Sequence, residues 1–216
     1  MVEGISLFSG AGGLDVGASL AGVKPILFVE IDRDSVATLR ANHASLSAEL
    51  LEADISTVSF KKYARSRTDL IVMGGPPCQP FSKNGYWVKN ENRRPDLDPR
   101  NLIAQFLRCV TECRPKGFLF ENVESLLHPT NRHVLEQFIF DAERIGYRCT
   151  LTRANAADYG VPQKRKRVFI FGVRKRGVSV PQPKPTHSSD DALGLPAHVG
   201  VGKALKKFAS VRFFEP

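Results

Sequence analysis

Short apolar runs recur along the chain, separated by segments whose apolar residues fall near a helical period. Ile5–Phe8, Ile26–Val29, Leu70–Met73, Phe118–Phe120 and Val168–Val173 are strand-sized and continuously apolar. Leu14–Ala21, Asp34–His43, Leu102–Cys113 and Arg132–Ile145 repeat apolar positions at about 3.6 residues and predict helices. Strand and helix in alternation predict an α/β domain built on a doubly wound, mostly parallel sheet covered on both faces. Cys109 and Cys113 share the apolar face of Leu102 and Phe106, which predicts core packing rather than a metal site.

The pattern breaks twice. Ser82–Arg100 carries no apolar period and includes Gly85, Pro95 and Pro99, an uncommonly long connection of the kind that is usually functional or disordered. After Val173 the run Arg174-Lys175-Arg176-Gly177 opens a stretch with Pro181, Pro183, Pro185 and Pro196, followed by one amphipathic segment, Val201–Phe208. We therefore expect a catalytic domain over 1–175 and, over 176–216, a proline-rich linker leading towards a domain outside these residues. There is no internal repeat.

Composition narrows the class. With 42% hydrophobic and 25% charged residues in 216, the chain suits one globular domain. No apolar run approaches the ~20 residues of a membrane-spanning helix, and Met1-Val2-Glu3-Gly4 lacks a basic leader, so a cytoplasmic location is expected. In that setting Cys78, Cys109, Cys113 and Cys149 read as reduced thiols. Thirty-one Lys and Arg against 22 Asp and Glu give +9 and a pI near 9.6. That balance favours an anionic partner without choosing between nucleic acid and a solubilising surface.

Candidate chemistry sits where strands end. Gly10-Ala11-Gly12-Gly13 follows the first strand and precedes a helix, where backbone N–H groups can approach a ligand. Glu30 ends the second strand, placed to accept hydrogen bonds from ribose hydroxyls, and Asp54 follows a weakly marked third. In Gly74-Gly75-Pro76-Pro77-Cys78-Gln79-Pro80-Phe81-Ser82 the prolines forbid helix and fix a thiol on a rigid strand-end turn. Packing alone does not require them. Phe120-Glu121-Asn122-Val123 brings a carboxyl to another strand end, either as a proton-sharing group or as a cap for a helix beginning near Glu124. Gln163-Lys164-Arg165-Lys166-Arg167 is a solvated or phosphate-binding face on which strand alternation puts Arg165 and Arg167 on one side. The five histidines show no ligand spacing.

FSGAGGLD (Phe8–Asp15), GGPPCQPFS, ENV and QKRKR, in this order, resemble the signature motifs of the cytosine-5 DNA methyltransferase family from about Val2 to Val173. The resemblance implies a Rossmann-like fold binding S-adenosylmethionine and a double-stranded DNA substrate whose cytosine is flipped out. It implies that Cys78 attacks C6, that Glu121 hydrogen-bonds N3, that Arg167 contacts O2, and that Arg165 and Ser82 hold phosphates. Phe8, Ser9, Gly10, Gly12, Gly13, Leu14, Glu30, Ile31, Asp54, Ile55 and Pro77 match the cofactor pocket, with Ile31 where many members carry an aromatic. Gln79, Ser82, Lys83, Arg100, Asn122 and Arg165 match DNA contacts, and Lys83–Arg100, with Tyr86 and Trp87, the catalytic loop. No metal is implied.

Complete members of the family continue into a target-recognition domain and two further motifs, so the resemblance implies a second polypeptide carrying them, or a fragment. Two other classes compete with the enzyme. One is an inactive cofactor-binding remnant. The other is a nicotinamide dehydrogenase, which leaves the Pro-Pro-Cys turn unexplained.

Overall fold

A computed structural model describes residues 2–43, 48–64, 69–77, 99–174, 180 and 182–206. Seven strands form one sheet: β1 (Val2–Leu7), β2 (Val23–Glu30), β3 (Glu49–Glu52), β4 (Asp69–Gly74), β5 (Gly117–Val123), β6 (Arg148–Asn155) and β7 (Lys166–Val173). Their spatial order is β3-β2-β1-β4-β5-β7-β6. β1 pairs in parallel with β2 and β4, β2 with β3, and β4 with β5. The N–H of Arg174, just past β7, donates to the Lys116 carbonyl ahead of β5 (3.0 Å), so β7 ends where β5 begins. The helices are α1 (Gly13–Leu20), α2 (Arg33–His43), α3 (Pro99–Cys113), α4 (Arg132–Arg144) and the short α5 (Val201–Leu205). The doubly wound α/β architecture predicted from the pattern is present, and strand order reverses between β1 and β4. In such sheets the crevice at the carboxyl ends of the strands flanking that reversal is where ligands bind.

The core explains the pattern. Ile5, Leu7, Leu27, Val29, Leu70 and Val72 are all within 2% of full burial, as expected for strands covered on both faces. Phe106 on α3 stands edge-on to Phe118 (5.9 Å) and Phe120 (5.4 Å) of β5, and Phe138 of α4 lies 4.3 Å from Phe120. Edge and tilted contacts at these separations suit the ring quadrupoles. Cys109 and Cys113 belong to this core, with sulfurs 3.9 Å apart. Burial, together with the neighbouring sulfur, pushes the Cys109 thiol well above its ordinary value. Cys149, on β6, is half-buried, and burial with the charge of Glu143 pushes its thiol up to about 12.

One polar device braces the segment after β3. Arg108 of α3 donates to the carbonyls of Ile55 (2.7 Å) and Val58 (2.9 Å) and to Glu112 (2.8 Å), while the Phe60 N–H donates to Glu112 (2.7 Å). Burial raises the Glu112 carboxyl, but the Phe60 N–H and the Arg108 guanidinium outweigh it, and the net position is below the usual carboxylate range. A depressed folded-state pKa adds stability above the unfolded value, lost as pH falls through the folded one. Arg108→Ala is expected to cost about 2–4 kcal/mol, because it frees two carbonyls and strands Glu112. It is also expected to move the acid unfolding midpoint upward. Urea melts between pH 3 and 7 measure both, and an unchanged acid limb in the variant would refute the bracing role.

The chain divides into two compact units. One comprises Met1–Thr152 with Val168–Val180, the other Arg153–Arg167 with Pro181–Pro216. The second unit thus takes in a segment ahead of β7 that the sequence groups with the first domain.

Candidate active site

The turn from β1 to α1 is built for close approach. Phe8, at φ 55, leaves the strand in a left-handed conformation, and Gly10 and Gly12 follow at φ 54 and φ 87. A side chain in this region carries strain, which tends to collect at ligand sites. Ser9 is buried and holds the turn through its hydroxyl, which donates to Ser6 Oγ (2.9 Å), while its carbonyl accepts the Gly12 N–H (3.0 Å). A Cβ placed on Gly10 or Gly13 would meet no atom within 4 Å, so the turn faces open space. Leu14 is half-buried beside it, and Asp15, in the first turn of α1, is 1% exposed.

Glu30 ties this turn to the end of β2. Its carboxylate accepts from the N–H groups of Gly10 (2.7 Å), Ile31 (2.8 Å) and Asp32 (2.9 Å). A carboxylate has about four lone-pair sites, so three backbone bonds leave acceptor capacity at the turn. Ile31, next in sequence, is 65% exposed, an uncovered apolar face at the same strand end. Asp54 lies just past β3 and caps the 3-10 turn Ile55–Thr57 by accepting from Ser56 N–H (2.8 Å). The Ile55 side chain is buried in the core.

The ends of β4 and β5 interlock. A Cβ on Gly75 would come 2.7 Å from Glu121 Oε2, so the carboxylate rests directly on that glycine. Asn122, 2% exposed, donates from its amide to the Pro76 carbonyl (3.2 Å) and accepts the Val123 N–H (2.8 Å). Asn122, expected as a DNA contact, here engages the backbone of the proline turn. The 3-10 turn Glu124–Leu127 starts at Val123, which as N-cap makes no side-chain bond. Pro77 is exposed. Cys78, Gln79, Ser82, Lys83, Tyr86 and Trp87 lie outside the described residues, and of Arg100 only the helical backbone is described.

The arginine segment belongs to the second unit. Arg165 ends the excursion ahead of β7; its N–H donates to Asn155 Oδ1 (3.1 Å) and its carbonyl accepts from Ala156 (2.9 Å). Asn155 in turn donates to Asp158 (3.2 Å), which also accepts from His198 Nε2 (2.9 Å). The Asp158 carbonyl takes the N–H groups of Thr186 (2.9 Å) and His187 (3.0 Å). Arg167 donates to the Lys166 carbonyl (2.8 Å). Asn155, Asp158 and His198 carried no signal in the sequence, since they come together only when 182–198 folds against the excursion.

A family model described as C-5 cytosine-specific DNA methylase matches residues 2–208. The chain belongs to that family. The methylase M1.HphI of Haemophilus parahaemolyticus, named a type II methyltransferase, is 38% identical over 198 residues, covering 88% of this chain and 50% of its own. The type II methyltransferase M.AquIA of a Picosynechococcus species is 37% identical over 224 residues, covering 96% of this chain and 85% of its own. Apart from M.AquIA, the chain spans about half or less of the length of the curated methylases it matches most strongly. Among solved structures, a DNA modification methyltransferase encoded within an E. coli prophage superposes with a TM-score of 0.72 at 27% identity, over 95% of this chain and 54% of that one. The Dnmt2 methyltransferase of S. pombe, at 18% identity and a TM-score of 0.61 over 83% of this chain and 52% of its own, shares the methylase fold.

Proposed function

We propose that this chain is the catalytic part of a DNA cytosine-5 methyltransferase that moves a methyl group from S-adenosylmethionine to C5 of a flipped-out cytosine. The observation that carries the reading is the junction of β4 and β5, where Glu121 and Asn122 grip Gly75 and Pro76 two residues ahead of the Cys78 thiol. A nucleophile on a strand-end turn and a carboxyl held against that turn form the pair that covalent attack on a pyrimidine needs. The Cys78 thiolate adds to C6, Glu121 holds N3 as charge builds on the ring, and C5 becomes nucleophilic; once C5 carries the methyl, loss of its proton and elimination of the Cys78 thiolate from C6 restore the ring. Arg167 takes the cytosine O2, and Arg165, Ser82, Gln79, Lys83 and Arg100 take neighbouring phosphates. Asn122 acts as a positioning residue for the proline turn, and Asn155, Asp158 and His198 do the same for Arg165.

The open turn at Gly10 and Gly13, the Glu30 carboxylate and the exposed Ile31 suit a nucleoside with hydroxyls and a flat base. S-adenosylmethionine, when bound, supplies the electrophilic methyl. Phe8, Ser9, Gly12, Leu14, Asp54, Ile55 and Pro77 complete the pocket. Glu30→Ala is expected to weaken S-adenosylmethionine binding by about 1–3 kcal/mol, since it removes charge-assisted acceptors and releases Gly10 N–H. Calorimetry giving equal affinities would count against the pocket.

Target recognition is assigned to residues other than these 216, whether on the same polypeptide or on a second one. Phosphate contacts position a protein on DNA, whereas base-edge or shape readout specifies sequence. The test is methylation of duplex DNA by the 216 residues, with and without the remaining half of a close relative, read by bisulfite sequencing. Weak, salt-sensitive methylation alone and site-specific methylation after complementation are expected. Strong methylation at one defined sequence by these residues alone would refute the placing of target recognition outside them, and none under either condition would refute the enzyme.

A further inference from the structure

At the end of the sheet opposite the glycine turn, where β5 starts and β7 ends, there is a cavity of about 470 Å³. Arginines from three elements line it: Arg114 just past α3, Arg144 at the end of α4 and Arg174 just past β7, all in the first unit. Ile145 and Tyr147 form its apolar wall. Among the described residues no carboxylate pairs with any of the three guanidinium groups. Of the acids nearby, Asp69 pairs with Lys116, Glu112 with Arg108 and Asp141 with Gln137, while Glu143, next to Arg144, acts on Cys149. The Tyr147 hydroxyl donates to the Pro115 carbonyl (2.7 Å), so the ring serves as a wall.

A second observation points the same way. Among the described residues only two that are not glycine adopt positive φ, Phe8 at the proposed cofactor turn and Arg114, at φ 47. Position 114 follows the last residue of α3, where a helix ordinarily ends on glycine. The Arg114 N–H closes the helix on the Val110 carbonyl (2.9 Å) and a cation suits that end of the dipole, but a glycine would make the same turn without the strain of a side chain at φ 47. Strained non-glycine residues cluster at ligand clamps.

We propose that this cavity is an anion site, separate from the active site, that takes a small phosphorylated ligand of nucleotide size. Three unneutralised guanidinium groups match the charge and fork geometry of phosphate. The volume lies within the range of small-ligand sites, and Ile145 and Tyr147 offer a surface for a flat ring. From Lys116 to Glu121 is about 16 Å along β5, so a ligand here does not compete with cytosine at Glu121. A free nucleotide is favoured over a nucleic-acid strand because the proposed DNA contacts and the nucleophile turn belong to other parts of the chain.

The experiment is calorimetry and thermal melting of the 216-residue chain with inorganic pyrophosphate, with ADP and with duplex DNA. Pyrophosphate and ADP are expected to bind and to raise Tm. An Arg144→Gln/Arg174→Gln variant is expected to lose about tenfold or more in affinity for both. Arg114→Gly relieves the φ 47 backbone, so it is expected to melt no lower than the parent while losing affinity by about the same factor, which separates lost ligand from lost fold. Arg165→Gln/Arg167→Gln is expected to leave pyrophosphate affinity within about twofold. The proposal is overturned if pyrophosphate and ADP fail to bind at millimolar concentration, or if the cavity variants bind them as the parent does. It is equally overturned if only the Arg165/Arg167 variant loses affinity, or if only duplex binding responds to the cavity arginines. None of these outcomes depends on methylation, so this site and the proposed activity stand or fall separately.

Discussion

Cys78→Ala is expected to lower methyl transfer by roughly four orders of magnitude, the scale of losing a covalent nucleophile, and to leave S-adenosylmethionine binding within a small factor. The two effects separate because the chain divides the labour between strand ends. The proposed cofactor contacts sit on the β1 turn and at Glu30 after β2, whereas Cys78 follows β4. Without the thiol at C6 the ring is not activated, and C5 of a neutral cytosine is a poor nucleophile. A duplex carrying 5-fluorocytosine is expected to trap a covalent adduct with the parent chain, complemented by the remaining half of a relative, and none with the variant, because fluorine blocks the elimination that releases the enzyme. Mass spectrometry reads the adduct and tritiated-methyl incorporation reads the rate. Incorporation at the parent rate by the alanine variant would remove the mechanism.

Gly75→Ala is expected to lower catalysis on the order of a hundredfold while costing the fold little. The added methyl would stand 2.7 Å from Glu121 Oε2, the far end of a side chain that can rotate away. Rotation relieves the clash but carries the carboxylate from its place, and a misplacement of about 1 Å at a reacting group costs on the order of a hundredfold. Gly74→Ala makes the contrast. Its methyl would lie 2.3 Å from the Leu7 carbonyl oxygen, which is backbone within the β1–β4 ladder and has nowhere to go. Adjacent glycines are thus expected to separate, the first in Tm and the second in kcat with Tm nearly unchanged. If Gly75→Ala methylates at the parent rate, Glu121 is not placed by this contact.

The framework was legible because burial on both faces leaves apolar runs that no loop imitates, and every predicted strand and helix has its counterpart within a few residues. β3 and β6 were harder to read. Glu49–Glu52 is a four-residue edge strand with exposed glutamates at both ends, and β6 carries Arg148, Thr150, Thr152 and Arg153 among its apolar positions. The site was legible as residue types at strand ends, since prolines around a cysteine and glycines after a strand have few structural uses. What the sequence hid were long-range polar contacts. The motif matches Asn122 to a DNA contact and does not show the Pro76 carbonyl beside it, and nothing in the sequence marks Arg108 as the partner of Ile55 and Val58. Such pairings join residues roughly fifty positions apart, and no periodicity records them.

The sheltering of the other three thiols has a practical consequence. Cys109 and Cys113 are closed inside the α3 core, and Cys149, with its thiol pushed up to about 12, holds only about one part in ten thousand as thiolate at pH 8. An alkylating probe attacks the thiolate, so the native protein withholds three of its four thiols from labelling. Modification by iodoacetamide is therefore expected to report on Cys78 without removing the others by mutation. Protection of that signal by DNA or by cofactor turns one engineered-free chain into its own occupancy sensor.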